Sequence, residues 1–287
     1  MKTTRRQFVQ GLSLGLGAAS LPGLSLAQAS GKTYRFSPVN QYGIELTASY
    51  WNPIIDYISR KAGVKLELKI GRTSADTTAY VLANEVEFIF SNHMFAPERE
   101  ALGWRVFGRR NTAPIHGVVV VLADSPYKRL EDLAEQPVGF PGPEATVAYK
   151  FTYAQMLERK VPVQVVFGGN MDGAFAQLAS GRVKAVGANS QLADGWSKRE
   201  GKALRELWRS EPVYDLPLMA AKSVPDRDFQ AVRAAFAGMA KDPEGRSILS
   251  VSDKLVKLDT DTVFIASDGS EYAAYRSFFK TAPAQLR

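Results

Sequence analysis

Ile115-His116-Gly117-Val118-Val119-Val120-Val121-Leu122 is an unusually apolar run, and it stands between two stretches of similar build. Upstream, Thr33–Val39 reads as a strand, Ile44–Ala62 as a helix stopped by Gly63, and Val64–Ile70 as a strand with alternating Leu66, Leu68 and Ile70. Ser74–Asn84 follows as a helix and Val86–Ser91 as a short apolar strand. Downstream, Pro137–Phe140, Ala145–Arg159, Val161–Phe167, Met171–Ser180 and Val183–Ala188 repeat that alternation. Strands alternating with helices predict an α/β fold built from two βαβαβ halves. A second candidate strand, Val213–Lys222, precedes a helix from Pro225 through Met239. If both apolar segments cross between the halves, the chain enters a second α/β domain and returns. Two α/β domains joined by two crossover strands make a clam shell with a ligand cleft between them. The alternative is one doubly wound domain with a long C-terminal tail.

The N-terminus reads as an address. Arg5-Arg6 is followed by Phe8 and by a mild apolar run from Gly11 to Leu26, which ends in Ala27-Gln28-Ala29. Small residues at that spacing fit a signal-peptidase site, and twin arginines mark an export route read by a receptor. The expectation is a periplasmic protein cleaved near Ala29. A membrane span would need about 20 strongly apolar residues, and Pro22 and several glycines weaken this run. Removing 29 of 287 residues leaves 258, enough for one large domain or two smaller ones. The organisation expected is therefore residues 1–29 as signal, 30–117 plus 219–287 as lobe one, and 118–218 as lobe two.

Composition narrows the chemistry. The chain has no cysteine, so disulfides, thiolate metal sites and cysteine nucleophiles are excluded. The formal charge is +7; Lys2, Arg5 and Arg6 lie in the leader with no acid beside them, which leaves +4 after cleavage. That balance suits attraction of a small anion and is too weak for a nucleic-acid surface. The sequence carries no GxSxG, HExxH, P-loop or paired-carboxylate motif, and its two histidines, His93 and His116, lack the acidic spacing of a metal site. No catalytic residue, cofactor or metal is expected.

Several motifs, in order, carry a resemblance. Gln41-Tyr42-Gly43 precedes the first helix, which contains Trp51-Asn52-Pro53-Ile54-Ile55-Asp56-Tyr57-Ile58. Val86 to Asn92 closes the first half, and Leu130-Glu131-Asp132-Leu133 with Val138-Gly139-Phe140 opens the second. Phe167-Gly168-Gly169-Asn170-Met171-Asp172 and Gly181-Arg182-Val183-Lys184-Ala185 follow. From Arg35 to Leu249 the chain resembles the periplasmic solute-binding proteins of the phosphate/phosphite/phosphonate ABC-transporter type. The resemblance implies the two-lobed periplasmic-binding-protein clam shell, no catalysis, a small anionic ligand and an ABC permease as partner. A sensor histidine kinase is the alternative partner, and the chain is expected to be a monomer.

The resemblance also implies site residues. The family grips its anion with a Ser-Thr-Ser-Gly turn at a helix N-terminus, and the matching positions read Ala145-Thr146-Val147-Ala148. Unpaired N–H groups and the positive end of the helix dipole favour an anion there. A family histidine falls on Met171, with the neighbouring acid kept as Asp172, and a family aspartate falls on Asn189. Lobe one would supply Tyr42 and the Ser91-Asn92-His93 strand end, and the family's aromatic lid is lost there unless Phe95 replaces it. The ligand-binding set expected is Tyr42, Asn92, His93, Ala145, Thr146, Val147, Met171 and Asn189. With fewer hydroxyls and no cleft acid, the pocket reads as retuned away from a common phosphonate. Plainer readings stand beside these. Thr146 and Asn189 can be ordinary caps, Met171 can pack in the core, and Asp172 can hold its own turn. Arg72-Thr73-Ser74 can bind an anion or cap a helix, and Arg109-Arg110 reads as a solvated loop. Tyr272, Tyr275, Phe278 and Phe279 read as the apolar face of a helix within Asp261–Arg287.

Overall fold

A computed structural model describes residues 31–258 and 262–287, so the signal-peptide reading lies outside the described residues. In chain order the strands are β1 (Thr33–Pro38), β2 (Lys65–Leu68), β3 (Phe88–Phe90), β4 (Arg105–Arg110), β5 (Gly117–Leu122), β6 (Pro137–Phe140), β7 (Gln164–Phe167), β8 (Ala185–Asn189), β9 (Leu204–Arg209), β10 (Pro217–Ala220) and β11 (Phe264–Ala266). The helices are α1 (Ile44–Ala62), α2 (Asp76–Leu82), α3 (Pro97–Glu100), α4 (Thr152–Glu158), α5 (Met171–Ala179), α6 (Ser190–Glu200), α7 (Asp226–Gly238), α8 (Pro243–Leu255) and α9 (Ala273–Thr281). The strands form two separate mixed sheets, β11-β4-β10-β3-β1-β2 and β7-β6-β8-β5-β9, each with its own helices. The fold is a two-lobed α/β clam shell.

The valine run explains why the second sheet is buried on both faces. Val118 and Val120 join one apolar cluster, and Val119 and Val121 join another, as the period of two demands. All four are fully buried. In the first lobe α1 presents Tyr50, Trp51, Ile54, Ile55 and Ile58 to the sheet at helical spacing. It ends at Gly63, whose φ of 65° gives the left-handed C-cap. Trp51 sits among Phe36, Phe90 and Phe264, at centroid distances of 5.0, 5.2 and 6.1 Å.

The chain leaves the first sheet after Arg110 and returns to it at Pro217. The two crossovers pair at one point, where Ile115 N–H donates to the Val213 carbonyl at 2.7 Å and Val213 N–H to Ile115 at 2.8 Å. The crossing segments are therefore mostly irregular rather than continuous strands, since prolines at 114, 212 and 217 deny donors to a longer ladder. Tyr272 and Tyr275 donate their hydroxyls to the carbonyls of Asp215 (2.8 Å) and Tyr214 (2.6 Å). With Phe95, Ile115, Val147, Val213 and Phe279 they form one cluster. The C-terminal helix thus covers the hinge and touches both lobes.

Arg109-Arg110 corrects its solvated-loop reading. The pair lies in β4, and Arg110 is buried against Asp215, whose carboxylate it meets at 2.6 Å. Arg110 also reaches Tyr50 and, across the lobes, the side-chain oxygen of Gln191.

Candidate functional site

The residues that decide the site lie where the second lobe's helix begins. Tyr149 and Lys150 N–H groups both donate to the Ala145 carbonyl, so Thr146–Phe151 forms a π-type turn that runs on into α4. Its first N–H groups, at Thr146, Val147 and Ala148, have no acceptor one turn earlier. A turn this wide needs room over the sheet, and two glycines provide it. A Cβ at Gly117 would stand 2.7 Å from the Val147 carbonyl oxygen, and one at Gly187 2.5 Å from that of Ala148.

Beneath this turn lies a cavity of about 40 Å³ between the lobes. Ala145, Thr146, Val147, Ala148, Pro141, Met171, Asn189 and Leu192 line it from lobe two, Asn40, Gln41 and Asn92 from lobe one, and Leu216 from the returning crossover. Thr146 is 1% exposed and its hydroxyl has no hydrogen-bond partner. Asn189, which also lines the cavity, caps α6 by accepting Gln191 N–H at 2.9 Å with its side-chain oxygen. Asn40 donates to the Gly71 carbonyl and accepts from Thr47, so each end of its amide has a protein partner.

Contacts across the cleft hold the lobes together around the cavity. Met171 N–H donates to the Gln41 carbonyl at 3.2 Å, and Ser74 N–H to that of Gly169 at 2.7 Å. Asp172 accepts Gly43 N–H at 3.1 Å and is gripped by Arg199. Arg99 holds Glu144 with two hydrogen bonds, one of 3.0 Å, and also donates to the His93 carbonyl. Burial alone would raise the Glu144 pKa, yet the Arg99 bonds and the charges of Arg99 and Lys150 hold it below the usual carboxylate range. Most of these contacts border the cavity: Gln41 and Met171 line it, Asp172 follows Met171 and Glu144 precedes Ala145.

The profile of a family described as "ABC transporter, phosphonate, periplasmic substrate-binding protein" matches residues 36–264. The chain belongs to that family. None of the curated proteins matches this binding protein. Among solved structures, a binding-protein component of an ABC phosphonate transporter from Pseudomonas aeruginosa superposes with a TM-score of 0.72 at 16% identity, over 87% of each chain. The Prochlorococcus marinus protein in complex with methylphosphonate also gives 0.72, at 13% identity over 87% of this chain and 97% of that one. A Xanthomonas citri protein bound to ATP gives 0.65 at 15%, over 88% and 96%. These likenesses speak for the fold.

Of the residues expected in the site, Asn92, Ala145, Thr146, Val147, Met171 and Asn189 meet at the cavity of the binding protein, and Tyr42 and His93 do not. Tyr42 turns into the core, with the Arg199 guanidinium 5.5 Å from its ring centre. His93 is 1% exposed, its Nδ1 pairs with the Thr78 hydroxyl at 3.0 Å, and burial pulls its pKa down to about 4. Phe95 is no lid; it stacks on Tyr272 in the hinge cluster at 4.9 Å. His116 lies at the hinge, with Nδ1 2.8 Å from the Ser210 carbonyl oxygen. Arg72 and Thr73 N–H groups are spent on the Asp76 carboxylate, so that turn is a cap. Asp172 serves the interlobe contact as well as its own turn. Sequence reasoning missed Gln41, one position from the residue it chose, and Leu216, whose apolar side chain carries no signal of a site. Among the described residues no group of three or more acids and histidines is arranged to hold a metal ion, and no helix is long and apolar enough to cross a membrane.

Proposed function

We propose that this periplasmic substrate-binding protein captures one small oxyanion in the interlobe cavity and delivers it, as a monomer, to the permease of an ABC importer. The observation that carries this reading is the Thr146 hydroxyl, buried and unpartnered at the start of a helical run, where the first N–H groups have no acceptor one turn earlier in the helix. An anion at that point satisfies all of these donors and meets the positive end of the helix dipole. The ligand set proposed is Thr146 with the N–H groups of 146–148, Asn189, Asn92 and Gln41, enclosed by Ala145, Val147 and Met171. Lobe one comprises about residues 30–117 and 219–287 and lobe two about 118–218, with the hinge at the two crossovers. Export by the twin-arginine route and cleavage near Ala29 complete the reading, and binding proceeds without turnover. The sensor-subunit alternative gains no support from the family match.

The test is a thermal-shift and calorimetric panel of phosphite, methylphosphonate, phosphate, sulfate and small carboxylates against the purified protein. A ligand at 100 times its Kd stabilises the native state by about 2.7 kcal/mol. One or more oxyanions should raise Tm by several degrees with one ligand bound per chain. A panel in which no oxyanion shifts Tm overturns the proposal.

A further inference from the structure

Resting on the oxyanion reading, we infer that the cavity selects oxyanions whose remaining substituent is hydrogen or one small apolar group, and that Asn189 excludes those carrying an ammonium group. The volume comes first. A cavity needs roughly 10–15 Å³ of this measure to hold one water, so about 40 Å³ admits only a few non-hydrogen atoms. An aminoalkyl chain has no room beside a tetrahedral head unless the lobes part.

The lining supplies the second argument. Pro141, Ala145, Val147, Ala148, Met171, Leu192 and Leu216 present apolar surface, and the polar lining residues are three asparagines, one glutamine and one threonine. No carboxylate is among them. The acids nearest in sequence are committed elsewhere: Glu144 to Arg99, Asp172 to Arg199 and Gly43, and Asp215 to Arg110. A buried ammonium requires a paired anion or a full set of acceptors, and this wall offers a methyl-sized apolar surface instead.

Asn189 is the position where an acid would change that outcome. Its oxygen already accepts the Gln191 N–H, a role an aspartate oxygen fills equally well, so Asn189→Asp keeps the α6 cap and adds one negative charge to the cavity. The charge would oppose an ionised ligand head and offer an ammonium its missing partner.

The experiment is isothermal titration of the wild-type protein and Asn189→Asp with methylphosphonate, phosphite and 2-aminoethylphosphonate, with circular dichroism melts confirming that the variant folds. Wild type should bind methylphosphonate or phosphite at least tenfold more tightly than 2-aminoethylphosphonate. In Asn189→Asp that ratio should fall at least tenfold. Equal or tighter binding of the ammonium ligand by wild type, or an unchanged ratio in the variant, overturns the inference while leaving the oxyanion site standing. Wild type that binds none of the three, nor phosphate or sulfate, overturns the oxyanion reading itself. Leu192→Asp, in the first turn of α6 and also lining the cavity, provides a second variant and should shift the ratio in the same direction.

Discussion

Thr146 is costly to the protein as it stands. A hydroxyl withdrawn from water without a partner loses about 1–3 kcal/mol, and Thr146 is 1% exposed with none. Valine at that position has nearly the same shape and no such debt. Thr146→Val should therefore leave the empty protein as stable or slightly more so, and weaken the best oxyanion about tenfold or more, because a hydrogen bond to a charged group contributes about 1.5–3 kcal/mol. Calorimetry paired with urea denaturation reads both quantities, and unchanged affinity would remove Thr146 from the site. At this scale the sequence was legible wherever a polar residue stood at an element end. Thr146, Asn189 and Asn92 line the cavity, as expected of helix starts and strand ends that face a cleft. Gln41 and Tyr42 were not separable, because the neighbour that turns toward the cavity depends on the exit angle of β1. His93 failed for a related reason: its partner, Thr78, comes from a different element, α2.

At the scale of elements, the helical run 146–158 is the unit proposed to bind the anion. The apolar pattern predicts one helix from Ala145 to Arg159, and it cannot show that the first turn widens to an i→i−5 bond. That widening depends on what lies underneath. Gly187 in β8 admits the Ala148 carbonyl, and a Cβ there would stand 2.5 Å from that oxygen and 2.4 Å from the Phe140 ring. Backbone on one side and a fully buried ring on the other leave nothing flexible to yield. Gly187→Ala should cost about 1–3 kcal/mol, the range of an overpacked core, and should weaken oxyanion binding because the donor turn lifts from its seat. Guanidinium denaturation and calorimetry on the variant check the two effects. Full stability with full affinity would mean that the turn does not rest on β8 in solution. The strands β4 and β11 escaped the sequence reading because their ladders, rather than their own pattern, make them strands.

At the scale of the molecule, the division into two lobes was readable from the repeated βαβαβ alternation and the valine run, since both follow from periodicity. The ion pair at the hinge was not, because it joins residues 105 positions apart: Arg110 in the last strand before the first crossover and Asp215 in the second. Arginine beside arginine in a chain of net positive charge looks solvated, and only the fold brings a carboxylate to it. Both side chains are almost wholly buried, at 2% and 0% exposure; one Asp215 oxygen takes the ion pair and the other has no hydrogen-bond partner. Removing one member of such a pair leaves an uncompensated charge and typically costs about 3–5 kcal/mol, whereas replacing both by apolar residues of similar volume is often neutral. Asp215→Ala should therefore lower the unfolding free energy by about that amount, and Arg110→Met with Asp215→Leu should recover most of it. The recovered double variant then isolates the other role of Arg110, its contact with Gln191 across the lobes. If that contact biases closure, the double variant will fold as stably as wild type and scatter as a more open particle in solution, with correspondingly weaker oxyanion binding. A double variant as unstable as Asp215→Ala would show that the hinge needs the ion pair for its fold and not only for its motion.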